Sequence, residues 1–283
     1  MNKTVRKVGI AVGKNRFFQS VTGFLGHELS PRKWVFIVGC YNSGTTLLHE
    51  ILKECPNVAS LPTEGAFLTN ALHTPEEYGW VRMWHKCIPE VGLSNDNGAR
   101  RAAQIKKNWS VWLDRSRPVI IEKSISNTPR ILFLQEYFKP SCFIYVVRNG
   151  YAVAEGIRRK ANLKKWHTPL PSEQYPIKMC AQQWIETDRM IDSVRGKVEN
   201  LLLVKYEELV NDPDRIIKII YKFVGNHMGQ CPELTKKRYD VTGYHSEIVN
   251  MNQKSIARLS GEDIQQVNSI SAEILKKYEY EIL

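Results

Sequence analysis

The sequence predicts an α/β fold: a central, mostly parallel sheet between two layers of helices. Three observations carry that reading. Short apolar runs rich in valine, isoleucine and phenylalanine recur along the 283 residues, as strands buried on both faces require. Segments with apolar residues at helical spacing alternate with them. The composition, 43% hydrophobic and 24% charged, is that of a globular chain large enough to bury a core without disulfide or metal staples.

The elements follow in order from local patterns. Residues 1–33 hold Lys3, Arg6, Lys7, Lys14, Arg16, Arg32 and Lys33 against Glu28 alone, and read as a basic N-terminal extension. Within it, Phe17, Phe18, Val21, Phe24 and Leu25 recur at helical spacing, interrupted by Gly23 and Gly26. A short helix packing its aromatic face on the domain is favoured over a membrane-surface helix, though residues 14–28 leave room for weak attachment to a membrane. Trp34–Gly39 is an aromatic and β-branched run closed by glycine, which reads as a buried strand. Leu47, Leu48, Ile51 and Leu52 place a helix over 45–53, ended by Pro56, and a weaker strand follows at 58–61. Residues 63–117 read as helices and loops covering one end of the sheet, with Trp80, Trp84, Trp109 and Trp112 among them. Strands at 118–121, 141–147 and 201–204 then alternate with helices over 128–138, 149–161, 173–195 and 213–224, and a last helix covers 261–278. Residues 34–283 read as one domain without repeats. No apolar run reaches the ~18 residues that would span a membrane.

The net charge of +11 asks for an anionic partner. More than half of it lies in residues 1–33, leaving the domain only mildly basic. No basic stripe runs through it, which argues against nucleic acid and for a small anionic ligand. The six cysteines, Cys40, Cys55, Cys87, Cys142, Cys180 and Cys231, form no CxxC pair and none has a partner at zinc-ligand spacing. Reduced thiols in an intracellular, cytoplasmic protein are expected over a secreted protein with a few disulfides.

The strongest motif is Gly39-Cys-Tyr-Asn-Ser-Gly-Thr-Thr46, between a predicted strand and a predicted helix. Glycines let the backbone curl around an anion, and the helix start adds converging N–H groups and positive potential. The spacing is that of a nucleotide phosphate loop, but Thr45 stands where the loop lysine of a kinase would be. A nucleotide kinase, which needs that lysine to clamp the terminal phosphates, is therefore disfavoured.

This loop, followed by Glu122-Lys123-Ser124, by Phe143–Asn149 with Arg148, and by Tyr206-Glu-Glu-Leu209 with Asp212-Pro213, resembles the sulfotransferases that use 3′-phosphoadenosine 5′-phosphosulfate. The likeness runs from about Trp34 to Gly225 and is nearest to the bacterial, carbohydrate and tyrosylprotein branch. It implies a P-loop-NTPase-like three-layer α/β/α fold and in-line transfer of a sulfuryl group to a hydroxyl, with no metal. Carried over by position, Tyr41, Asn42, Ser43, Gly44, Thr45 and Thr46 would hold the phosphosulfate. Arg148 and Gly156, with Arg159 and Lys254, would face the 3′-phosphate. Glu64 would take the acceptor proton, and Lys123 would stabilise the leaving group. The acceptor is expected to be a small molecule or glycan, with a carbohydrate or glycolipid favoured because the tryptophans of 80–112 offer rings for stacking.

Two positions depart from the family. Asn42 replaces the usual arginine or lysine, a loss worth ~2.7–4 kcal/mol of transition-state stabilisation for one such donor. Gly156 replaces a serine that often meets the 3′-phosphate, a contact worth ~1.5–3 kcal/mol. Lys123, Arg158 or Arg159 are expected to offset them. The rival reading is a nucleotide-binding relative with impaired catalysis. His49, His73 and His85 are the other candidate bases. Tyr206 and Glu207 are expected to be structural, and Trp184 to lie in the core.

Overall fold

The computed structural model describes residues 15–93, 97–225, 227–229, 234, 239–241 and 244–283. Five parallel strands, β1 (Lys33–Gly39), β2 (Val58–Ser60), β3 (Val119–Glu122), β4 (Ser141–Val147) and β5 (Leu201–Lys205), form a sheet in the order β2-β3-β1-β4-β5. The apolar run at 34–38 becomes the central strand because it can be buried on both faces. Trp34, Phe36 and Val38 join one core and Val35 and Ile37 the other. Each such side chain contributes ~1.5–3 kcal/mol by leaving water.

Helices cover both faces: α1 (Arg16–Leu25), α2 (Thr45–Leu52), α3 (Gly98–Ser110), α4 (Ile131–Tyr137), α5 (Gly150–Lys160), α6 (Ile177–Arg195), α7 (Tyr206–Asn211), α8 (Pro213–Val224), α9 (Asn252–Ile256) and α10 (Gly261–Lys277). The apolar stripes of α2 and α8 cover one face, and those of α5, α6 and α10 the other. The C-terminus is pinned by Lys277, whose Nζ lies 2.8 Å from Asp188 and 2.6 Å from Asp192 on α6. A two-stranded antiparallel hairpin, β6 (Tyr239–Val241) with β7 (Tyr244–Ser246), stands apart from the sheet.

Several boundaries differ from expectation for identifiable reasons. The helix expected over 128–138 is two pieces, a 3₁₀ segment at Ile125–Arg130 and then α4; Pro129 sits in the tighter one, where it lacks a backbone donor. Helix α6 begins at Ile177, because Pro176 takes the N-cap position with extended backbone. The hairpin, α7 and α9 were not anticipated. Helix α1 forms, but its polar side faces inward. Asn108 on α3 donates to the Gln19 carbonyl at 3.0 Å and to the Thr22 hydroxyl at 2.8 Å. Phe17 and Phe24 stay 79% and 86% exposed, contrary to the expected aromatic packing; only Phe18 meets a ring, that of Trp112. Residues 1–14 of the basic extension, with Lys3, Arg6, Lys7 and Lys14, lie outside the described residues.

Cys40, Cys87, Cys142 and Cys180 are free and buried, as expected of reduced thiols. Cys55 is disulfide-bonded, which corrects the expectation of a wholly reduced chain. Cys231 lies outside the described residues. No helix among the described residues is long and apolar enough to cross a membrane.

Candidate active site

The carboxyl ends of β1, β3 and β4 place three segments together, as open parallel sheets do with their ligand sites. The first is the loop after β1. Gly44 caps α2 at φ 100°, and no side chain bonds the first helical N–H groups. Those donors remain available to an anion. A side chain at 44 would meet the ring of Tyr206 at 2.5 Å, so glycine is required by both conformation and space. The hydroxyl of buried Ser43 donates to the Cys40 carbonyl at 2.8 Å, closing the loop on itself. Thr128 fastens it from the side, accepting from the Gly39 N–H and donating to the Gly39 carbonyl. Thr45 is buried and Thr46 half-buried at the helix start. The loop therefore offers more free backbone N–H groups than free hydroxyls.

The second segment leaves β3, where three successive residues tie three others. Buried Glu122 accepts from the Gly65 N–H at 2.8 Å. Lys123 Nζ lies 2.7 Å from Glu64 Oε1. The Ser124 hydroxyl accepts from the Ala66 N–H at 3.3 Å. The expected base and the expected cation thus sit as an ion pair, with Lys123 9% and Glu64 21% exposed. Burial, opposed by the hydrogen bond from Ser124, raises the Glu122 carboxyl to about 6.

The third is Arg148, directly after β4. Its Nη1 donates to the Asn42 carbonyl at 2.8 Å and its Nε to Asn252 Oδ1 on α9 at 2.7 Å, and its guanidinium lies 4.3 Å from the centre of the Tyr206 ring. Arg148 Nη2 is buried with no protein partner, and so is the neighbouring Asn42 Nδ2. Unpaired buried donors are costly, and these two belong to residues joined by the bond to the Asn42 carbonyl. Asn42 has φ 62°, a backbone that asparagine tolerates better than arginine or lysine. Gly156 on α5 faces it: a Cβ there would stand 2.9 Å from Asn42 Cγ. The two departures from the family pattern are one feature, since the missing side chain at 156 makes room for the side chain at 42.

The remaining assignments divide. Arg159 donates to buried Glu155 at 2.7 Å, which Arg258 approaches at 3.6 Å, and Lys254 is exposed on α9. Arg158 is bound twice to Asp263, at 2.7 and 2.8 Å, and so holds α10 rather than a ligand, against the expectation that it compensates for Asn42. His49 bonds Ser60 at 2.8 Å and burial lowers its basicity; it is a packed residue. His73 pairs with Glu77 at 3.0 Å and His85 with Gln183 at 3.0 Å. Trp184 lies in the core as expected. Trp84 and Trp109 are fully buried too, and Trp112 packs on Phe18, so the tryptophan-rich segment offers far fewer rings for a sugar than its sequence suggested. A cavity of about 490 Å³ lies between His73, Tyr78, Glu90 and Arg101, lined by no loop residue.

Sequence reasoning missed the contribution of five residues. Tyr206 and Glu207 are structural as expected, yet they build the site's floor: Tyr206 supports Gly44 and Arg148, and Glu207 accepts from Asn252 and from the Asn149 N–H. Asn252, Glu76 and Arg82 carried no sequence signal beyond their polarity. Glu76 Oε1 accepts from the Arg82 N–H at 3.4 Å, and burial, followed by the charge of Glu64, raises its carboxyl.

Residues 35–228 match the model of the sulfotransferase family, and the chain belongs to that family of enzymes. Its sheet and flanking helices are the P-loop-like fold of sulfotransferases. A curated relative is the omega-hydroxy-beta-dihydromenaquinone-9 sulfotransferase Stf3 of Mycobacterium tuberculosis, 24% identical over 302 residues, covering 87% of this chain and 75% of the relative. Among solved structures, the sulfotransferase STF9 from Mycobacterium avium superposes with a TM-score of 0.56 at 14% identity, covering 96% of this chain and 84% of that one. The sulfotransferase domain from the curacin biosynthetic pathway gives 0.51 at 17% identity, covering 90% of this chain and 100% of that domain. These two likenesses concern the fold alone.

Proposed function

We propose that the protein transfers a sulfuryl group from 3′-phosphoadenosine 5′-phosphosulfate to a hydroxyl. The observation that carries this reading is the pair of unpartnered buried donors, Arg148 Nη2 and Asn42 Nδ2, beside an uncapped helix start. When bound, the phosphosulfate supplies a sulfur whose bond to the 5′-phosphate oxygen breaks, the electron pair leaving with the adenosine bisphosphate, as the acceptor oxygen bonds to it. The residues of the chain divide the remaining work. The loop N–H groups of 43–46 take the anionic oxygens, with Thr46 at their edge. Arg148, oriented by Asn252 and Tyr206, anchors the nucleotide. Glu64 takes the acceptor's proton on a carboxylate oxygen, and Lys123, already within 2.7 Å of it, balances charge near the leaving oxygen.

The acceptor is an alcohol. The burial of Trp84 and Trp109 removes most of the physical case for a carbohydrate, and the mycobacterial relative is named for a hydroxylated menaquinone, so lipid alcohols belong in the test beside glycans. The disulfide at Cys55 favours an oxidising compartment over the cytoplasm, since cytosolic chains seldom keep one.

The experiment is calorimetry with adenosine 3′,5′-bisphosphate and with ATP, followed by transfer of labelled sulfate to a panel of lipid and glycan alcohols. Binding of the bisphosphate, weakened about tenfold or more by Arg148→Ala, is expected, because a charged hydrogen bond is worth ~1.5–3 kcal/mol. Tighter binding of ATP would overturn the reading in favour of a kinase. Bisphosphate binding with no transfer to any acceptor or to water would leave a nucleotide-binding protein in place of an enzyme.

A further inference from the structure

The loop lacks a cation at Asn42, and the structure places one close by. Arg82 follows the 3₁₀ turn Pro75–Tyr78, and its guanidinium carbon lies 5.7 Å from the centre of the Tyr41 ring, one residue before Asn42. The side chain is half-buried, and its guanidinium has no hydrogen bond or ion pair among the described residues. Glu76 acts on Arg82 but bonds only its backbone N–H, so the five donors of the guanidinium fork lose water without replacing it.

The backbone at Arg82 is held against preference. Its φ is 60°, the left-handed region that non-glycine residues enter at a cost. The neighbours enforce it. Val81 and Met83 are buried on either side, Tyr175 donates to the Val81 carbonyl at 3.0 Å, and Glu76 accepts from the Arg82 N–H. Surface arginines need no such restraint. Other cations also lie near the guanidinium. Lys160 keeps an exposed side chain, yet its ammonium is lowered to about 8, first by desolvation and then by Arg82, Arg159 and Arg148. Since an exposed side chain keeps much of its hydration, the three cations are the informative part. Glu155, the acid beside them, meets Arg159 and Arg258 through Oε1 and keeps Oε2 buried without a hydrogen-bond partner. Arg82, Lys160 and Arg148 thus gather beside Tyr41, with Glu76 and Glu64 as the acids that act on its ring.

We infer that Arg82 supplies, from the segment between β2 and β3, the positive charge that the phosphate loop lacks at Asn42, and that it contacts the sulfuryl oxygens of the bound phosphosulfate. The assignment rests on the proposed sulfuryl transfer. As the acceptor oxygen bonds to sulfur and the bond from sulfur to the phosphate oxygen breaks, the electron pair goes to that oxygen and the acceptor's proton to Glu64. Arg82 exchanges no proton. It offsets negative charge on the atoms in transit. This also gives Asn42 a reason: with the cation delivered from elsewhere, the loop position is free to take the residue that its backbone prefers.

The test compares two nucleotides that differ only by the sulfuryl group. Calorimetry on the wild type, Arg82→Lys and Arg82→Gly would measure affinity for the phosphosulfate and for the bisphosphate. Glycine suits φ 60°, so Arg82→Gly should melt no lower than wild type while losing the charge. Arg82→Gly is expected to weaken phosphosulfate binding about tenfold and to change bisphosphate binding less than about twofold, with Arg82→Lys between. Sulfuryl transfer at saturating nucleotide should fall about a hundredfold in Arg82→Gly. Equal losses for both nucleotides, or an unchanged phosphosulfate affinity, would overturn the assignment of Arg82 while leaving the nucleotide site in place. If the wild type binds neither nucleotide, the sulfotransferase reading itself fails.

Discussion

At the scale of single residues, Asn42 and Gly156 form the most informative pair. A Cβ at 156 would stand 2.9 Å from Asn42 Cγ and 3.0 Å from its Cβ. Gly156→Ala should therefore destabilise the wild type. In an Asn42→Gly background, which removes both opposing atoms, the same change should stabilise by up to ~1 kcal/mol, the helical preference of alanine over glycine. A thermal-melt double-mutant cycle should show coupling of at least ~1 kcal/mol, and additive effects would mean that the two do not touch. Glu122 gives a second prediction at this scale. Its carboxyl is raised from an ordinary 4.5 to about 6, so between those values the folded chain holds a proton that the unfolded chain has released. Stability contributed by this group is fully present below about pH 4.5 and is lost as pH rises through about 6, a change of ~2 kcal/mol. Denaturant titrations across that window should show the decline in wild type and lose it in Glu122→Gln.

At the scale of elements, the short helix α9 acts on the site through one side chain. Asn252 accepts from Arg148 Nε and donates to Glu207, which Tyr280 also bonds at 2.9 Å. Asn252→Ala should lower the melting temperature, because it leaves buried Arg148 Nε without a partner, and should weaken bisphosphate binding by about tenfold, the worth of one hydrogen bond to a charged group. Nothing in the residues before α9 announces this, because a five-residue helix has too few turns to show a period. The strands were legible for the opposite reason. A strand buried on both faces must be apolar throughout, so 141–147 could be bounded from its residues alone. The loop after β1 was legible as chemistry, and so was Arg148, because each follows such a strand directly. Arg82 and Glu76 were not, since they reach the site through 3₁₀ turns whose course depends on what packs beneath them. The tryptophans of 80–112 misled, because aromatic residues signal burial as readily as binding.

At the scale of the whole molecule, the predicted α/β architecture holds and a predicted chemical property fails. The chain was expected to be reduced, and Cys55 is disulfide-bonded while four cysteines are free and buried. Mass spectrometry after alkylation should find Cys55 blocked in the native protein and Cys40, Cys87, Cys142 and Cys180 labelled only on denaturation. Reduction should lower stability by ~2–4 kcal/mol. An unchanged melt on reduction would mean that the bond is absent or carries no stability. The net charge of +11 also takes a definite meaning at this scale. In the proposed reaction the part of it that meets the nucleotide is a few cations, Lys123 after β3 and Arg148 after β4, around a loop that itself has none.

The contact between Asn42 and Gly156 has a consequence for how such a chain can change over generations. A serine at 156 is blocked while asparagine stands at 42, and an arginine at 42 meets a backbone that disfavours it. Neither position can revert alone without passing through a weaker protein. The order of steps is therefore constrained: position 42 must shrink before position 156 can grow.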